Sequence, residues 1–173
     1  MSHYNSEDAP INWKEGLDAY GGDEGVFVTF LSQFEEMSFT ETMESLFQSM
    51  MSMDYPKIHY FAHKLKSPAS YIAANRSKDL AAELVTASDR NDQKAVTDKF
   101  LKLLIESKAL IIYISKVVGK PPNISALERY EREFKNKYSK SKSMRRGESS
   151  TVDISAANNQ AVAAGCCSDC NMF

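Results

Sequence analysis

From Ile11 to about Val118 the apolar residues return every three or four positions, and no stretch of this length alternates apolar with polar residues. The run Val26, Phe27, Phe30, Leu31, Phe34 and Met37 shows the pattern most clearly. Only a helical period of 3.6 residues gathers such positions on one side of a segment, and a side that apolar has to be packed against another element. The fold class this predicts is all-α.

Helix-ending and helix-starting residues divide the pattern into six helices. A short one is expected over residues 12–20, stopped by Gly21 and Gly22, with Asp23 capping the second; glycine takes up the left-handed conformation that ends a helix, and a short carboxylate accepts an orphan amide at a helix start. The third, over about residues 39–53, carries Phe39, Met43, Leu46, Phe47 and Met50, a methionine-rich stripe of the kind that fills cores. Asp54 and Pro56 start the fourth. The fifth is expected over about 77–90 with Leu80, Ala81, Leu84 and Val85 inward. The sixth, over about 92–118, turns Val96, Phe100, Leu103, Leu104, Ile111 and Ile114 inward and ends at Gly119 and Pro121. Helices two, three, four and six, each of three turns or more with short connections, predict an antiparallel four-helix bundle, with the fifth forming a hairpin with the sixth. Residues 1–10 are expected to be disordered and 11–120 to form the bundle. Residues 121–146 form a basic, helical extension with Ile124, Leu127, Tyr130, Phe134 and Tyr138 on one side, expected to be solvated and partly frayed, and 147–173 a flexible tail.

Charge narrows the function. A net charge of −2 with 25% charged residues lacks the excess of Lys and Arg that nucleic-acid binding needs. No run of about eighteen apolar residues is long enough to cross a bilayer, and the opening MSHYNSEDAP has neither the basic nor the apolar region of a signal peptide. The folded part is therefore expected in the cytoplasm, and a closed apolar core with one polar stripe suits a monomer.

That polar stripe lies on the fourth helix. At about 100° per residue, Ile58, Phe61, Ala62, Leu65, Ala69 and Ile72 share one arc and form the core face. His59, His63, Lys66, Ser67 and Ser70 share the adjacent arc, with His63 near its middle. A largely neutral imidazole at physiological pH can attack an activated phosphoryl group, Lys66 one turn on can balance the incoming charge, and Ser67 is small enough to let a partner approach closely. Spacing alone equally fits ordinary surface histidines. A metal site at the same pair reads HYFAH, without the glutamate that a zincin helix carries, so no metal is expected.

The string FAHKLKSPASYIAA adds weight to the phosphoryl reading. From Ala62 to Ala74 it resembles the signature A-H-x-L-K-G-x-x-x-x-x-G-A of histidine phosphotransfer (HPt) domains. The order of a short helix, GGDEGVF, FLSQF, a Met- and Phe-rich helix and later LAAELV is also similar to theirs, so the resemblance spans roughly residues 11–118. It implies that His63 is the phospho-acceptor and Lys66 the phosphate-neutralising lysine, with Leu65 in the core between them. Ser67 and Ala73 stand where the family usually has glycine. Pro68, inside the helix, departs from the pattern; it removes a backbone bond, at about 3 kcal/mol, and predicts a kink. His59, Lys64, Ser67 and Ser70 are expected to line the partner surface.

The chain has no glycine-rich phosphate loop and no kinase motifs, so it is expected to carry phosphoryl groups without catalysing their transfer from ATP and to hold no cofactor of its own. The resemblance implies a response-regulator receiver domain or a hybrid histidine kinase as partner, the receiver supplying the aspartate and Mg²⁺ for an in-line transfer. The alternative is an HPt-like interaction module without phosphate chemistry.

All three cysteines lie in the last eight residues. Cys170-Asn171-Met172-Phe173 fits the C-a-a-X prenylation pattern, with Asn171 unusual at an aliphatic position, and Cys166 and Cys167 resemble palmitoylation sites. One lipid chain anchors only marginally, so prenyl plus palmitate, or prenyl plus the basic run from Lys135 to Arg146, would hold the protein at the cytoplasmic face of a membrane. CSDC has no second cysteine pair to complete a zinc cage.

Overall fold

The computed structural model describes residues 9–34 and 39–146, and every regular element among them is helical. The helices are α1 (Trp13–Ala19), α2 (Glu24–Phe34), α3 (Thr40–Ser52), α4 (Tyr55–Tyr71), α5 (Asn75–Asp89), α6 (Gln93–Val118) and α7 (Ser125–Arg146). The expected starts are present as hydrogen bonds. Asn12, Asp23, Asp54 and Asp92 each accept the amide of the residue three positions on, satisfying one of the four donors a helix leaves open at its start.

The helices also end alike. After α1, α3, α4 and α5 the residues Gly21, Met53, Ala73 and Asn91 have positive φ. The amide behind each reaches back to a carbonyl five residues earlier: Gly22 to Leu17, Asp54 to Ser49, Ala74 to Ala69 and Asp92 to Ala87. This is the Schellman closure, which turns the chain and satisfies carbonyls the helix would otherwise leave open. Ala73 takes this conformation at φ of 53°, where a glycine would meet no Cβ penalty.

α1 lies on α2, α2 on α6, α3 on α4, α4 on α5, α5 on α6 and α6 on α7, giving a bundle-like unit. α5 packs on α4 as well as forming the expected pair with α6. The expected inward residues of α3, α4 and α6 are buried, apart from Phe61, which is half-buried. Where α1 meets α2 the backbones come close: a Cβ on Gly16 would stand 2.2 Å from the Phe27 ring, which also packs edge-on against Trp13 at 5.1 Å.

Two differences from the sequence reading matter, one in α2 and one in α7. Only Phe27, Leu31 and Phe34 of the α2 stripe are buried; Val26 and Phe30 remain 42% and 36% exposed, because the stripe is wider than the contact α2 makes. Met37 lies outside the described residues. α4 continues through Pro68 to Tyr71, with the proline in its last turn.

The basic extension is a packed helix over the part whose side chains are described. Leu127, Tyr130 and Phe134 of α7 join the main core. Phe47 stacks on Tyr130 at 4.5 Å and Phe100 meets Phe134 edge-on at 4.9 Å. Glu44 of α3 accepts from Tyr130 and from Arg129, the latter at 3.2 Å, and Lys108 of α6 pairs with Glu131. Lys137 donates to the Met51 carbonyl near the end of α3. Burial of three large side chains outweighs the polarity of the helix as a whole. Among the described residues no helix is long and apolar enough to cross a membrane. Cys166, Cys167 and Cys170 lie outside the described residues.

Candidate functional site

α4 is 17 residues long and His63 is at its midpoint. Ile58, Ala62, Leu65 and Ala69 are buried and fix the rotation of the helix, so the positions between them must face outward. His63, Lys64, Ser67 and Ser70 are exposed, and His59 and Lys66 are half-buried. Lys66 makes no ion pair and His63 no hydrogen bond among the described residues. The imidazole is thus open to a partner, with a free ammonium group one turn along the same face.

An open groove of about 600 Å³ runs beside His63. One wall is α4 itself: His63, Lys64, Ser67, Pro68, Tyr71 and the following Ile72. The other is Tyr20 after α1 with Phe30 and Phe34 of α2. Phe30, the residue the core leaves out, packs its ring on Tyr20 at 4.6 Å. Tyr20 donates to the Tyr71 carbonyl at 3.0 Å and so ties the two walls together; burial, and secondarily Tyr71, push its phenol above the ordinary value. The hydroxyl therefore stays protonated and able to donate. The groove is mostly apolar, with His63 and Lys64 at its edge, the form a docking surface takes next to a reactive side chain.

The expected partner residues divide between two sides. Lys64 and Ser67 line the groove with His63, whereas His59 and Ser70 do not. His59 is held on the other side of His63, its Nδ1 2.7 Å from Asp89 Oδ1 of α5. Sequence reasoning missed Asp89, which is 30 residues from His59, and missed the opposite wall of the groove. The surplus width of the α2 stripe was the available signal for that wall: a helix needing only one core contact has no use for both Val26 and Phe30. Comparison of the chain with protein-family models, with curated proteins and with solved structures finds no match.

Proposed function

We propose that this chain is a histidine phosphotransfer protein, a phosphorelay intermediate that accepts a phosphoryl group on His63 and passes it to or from a receiver-domain aspartate. The observation that carries the reading is an exposed imidazole at the middle of a long helix, with an unpaired lysine one turn on and an apolar groove alongside. In this reading α2, α3, α4 and α6 would make up the antiparallel four-helix arrangement of HPt domains, with α5 against α4 and α6.

The chemistry asks little of the chain. The donor's P–O bond breaks as a ring nitrogen of His63 bonds to phosphorus, the electron pair leaving on the receiver carboxylate, and the receiver supplies Mg²⁺ to neutralise the moving charge. His63 contributes the nucleophile and Lys66 the positive charge. Ser67 keeps the approach open, and the groove orients the partner so that attacking and leaving atoms fall in line. Docking close to an exposed nucleophile supplies proximity without any ATP site.

The test is incubation with a phosphorylated receiver domain and detection of acid-labile phosphate. The wild type is expected to be labelled and His63→Gln not. Equal labelling of His63→Gln would refute the assignment, and docking of the receiver with no labelling of the wild type would leave the adaptor reading. For the C-terminus the same proposal includes a prenyl group on Cys170, with palmitate on Cys166 or Cys167, tethering a cytoplasmic carrier to a membrane surface. An unmodified intact mass from native cells would refute that part.

A further inference from the structure

His63 stands between two unlike neighbours. Toward the end of α4 is the groove; one turn toward the start is His59, bonded to Asp89 of α5. Nothing in the transfer reaction described above uses this pair. Asp89 is an exposed carboxylate that can only accept, so the hydrogen between the two belongs to His59 Nδ1. The ring is thereby fixed in orientation, with Nδ1–H turned to Asp89 and Nε2 turned away from it.

The rings of His59 and His63 are parallel to within 3°, with centroids 6.3 Å apart, and no hydrogen bond joins them among the described residues. The two side chains are thus neighbours one turn apart on α4. A phosphoryl group on His63 brings a charge of about −2 within one helical turn of His59, whose Nδ1 is already paired with Asp89. An imidazole flanked by a carboxylate and a phosphoryl dianion holds a second proton better than one flanked by the carboxylate alone, and once protonated it donates to both.

We propose that His59, oriented by Asp89, is a positioning residue that takes up a proton when His63 is phosphorylated and donates it in a hydrogen bond to the phosphoryl group. The inference rests on His63 being the acceptor. As the P–N bond forms at His63 and the donor leaves with its electron pair, one solvent proton is taken at His59 Nε2. The ionisable groups around His59 are Asp89 from α5, and Tyr55, His63 and Lys66 along α4. α3, which also packs on α4, brings His59 no ion pair or hydrogen bond among the described residues, and Tyr138 of α7 acts on Tyr55. Two anions therefore flank the ring once His63 is loaded, and linkage makes the phosphorylated state depend on pH through His59.

Phosphoramidate is a suitable probe, because it transfers its phosphoryl group with loss of ammonia and needs no receiver domain. After labelling of the full chain, nitrogen-15 NMR of the His59 ring is expected to show both nitrogens protonated at a pH where the unlabelled protein shows Nδ1 alone. Loss of phosphate from His63 is expected to be about fivefold faster in His59→Gln and in Asp89→Asn, with a flattened pH profile, the size of effect one solvent-exposed charge-assisted hydrogen bond supports. An unchanged His59 spectrum on labelling, or wild-type lifetimes and pH profile in both variants, would overturn the proposal while leaving His63 as the acceptor. Labelling by phosphoramidate with no exchange to any receiver would count against the relay reading and leave this inference standing. No label on His63 would overturn the inference together with the acceptor assignment.

Discussion

Lys66 occupies a half-buried position one turn beyond His63, where its stem lies along the helix and its ammonium group has no carboxylate to answer among the described residues. In the proposed reaction a cation placed so would serve the phosphoryl group more than the fold. Lys66→Ala is therefore expected to slow receiver-dependent labelling by about tenfold with little change in melting temperature, in line with the worth of one charge-assisted contact. Stopped-flow or quench measurements on both proteins check this. Lys64, on the groove edge, should instead affect how tightly the partner binds and how that binding responds to salt. At this scale the sequence was informative about which face of α4 is buried, Phe61 apart, because residues three and four apart on one helix must share a face. It said nothing of Asp89 or Tyr20, which reach the site from other helices, and no local spacing encodes such a meeting.

The helix ends show why some substitutions cost more than their size suggests. Gly119 has φ of 75°, its amide and that of Lys120 both bond to the Ser115 carbonyl, and a Cβ added there would meet nothing within 4 Å. Gly119→Ala is thus a pure backbone test, expected to destabilise the protein by about 1 kcal/mol in urea unfolding. α7 gives a larger one. Its apolar side, Leu127, Tyr130 and Phe134 included, was legible in the spacing, but the surrounding polarity hid that this side is packed against α3 and α6 rather than solvated. Phe134 is fully buried, and Phe134→Ala is expected to cost about 3–5 kcal/mol, as in an ordinary core, where a solvated helix would lose almost nothing. A chain ended at residue 120 would expose Phe47 and Phe100 and should unfold at lower denaturant than the full chain.

For the molecule as a whole, the contacts that seat α7 set its behaviour in acid. The Tyr130 hydroxyl, helped by Gln48 and Arg129, holds the Glu44 carboxyl below its ordinary value of 4.5, and Lys108 and then Lys135 do the same for Glu131. Lowered values mean that the folded state favours the ionised forms, so this stabilisation is complete above about pH 4.5 and is lost as the pH falls through the lowered values. Urea midpoints measured from pH 7 to pH 3 should decline, and the decline should be shallower in a Glu44→Gln, Glu131→Gln double variant, which starts from a lower midpoint. The groove has a different consequence. Its two walls come from separate stretches of chain, with the reactive imidazole on one and Tyr20, Phe30 and Phe34 on the other. If the proposed function holds, mutation of Tyr20, Phe30 or Phe34 can redirect which partner docks without touching His63, so that wiring and reactivity are free to evolve at different rates.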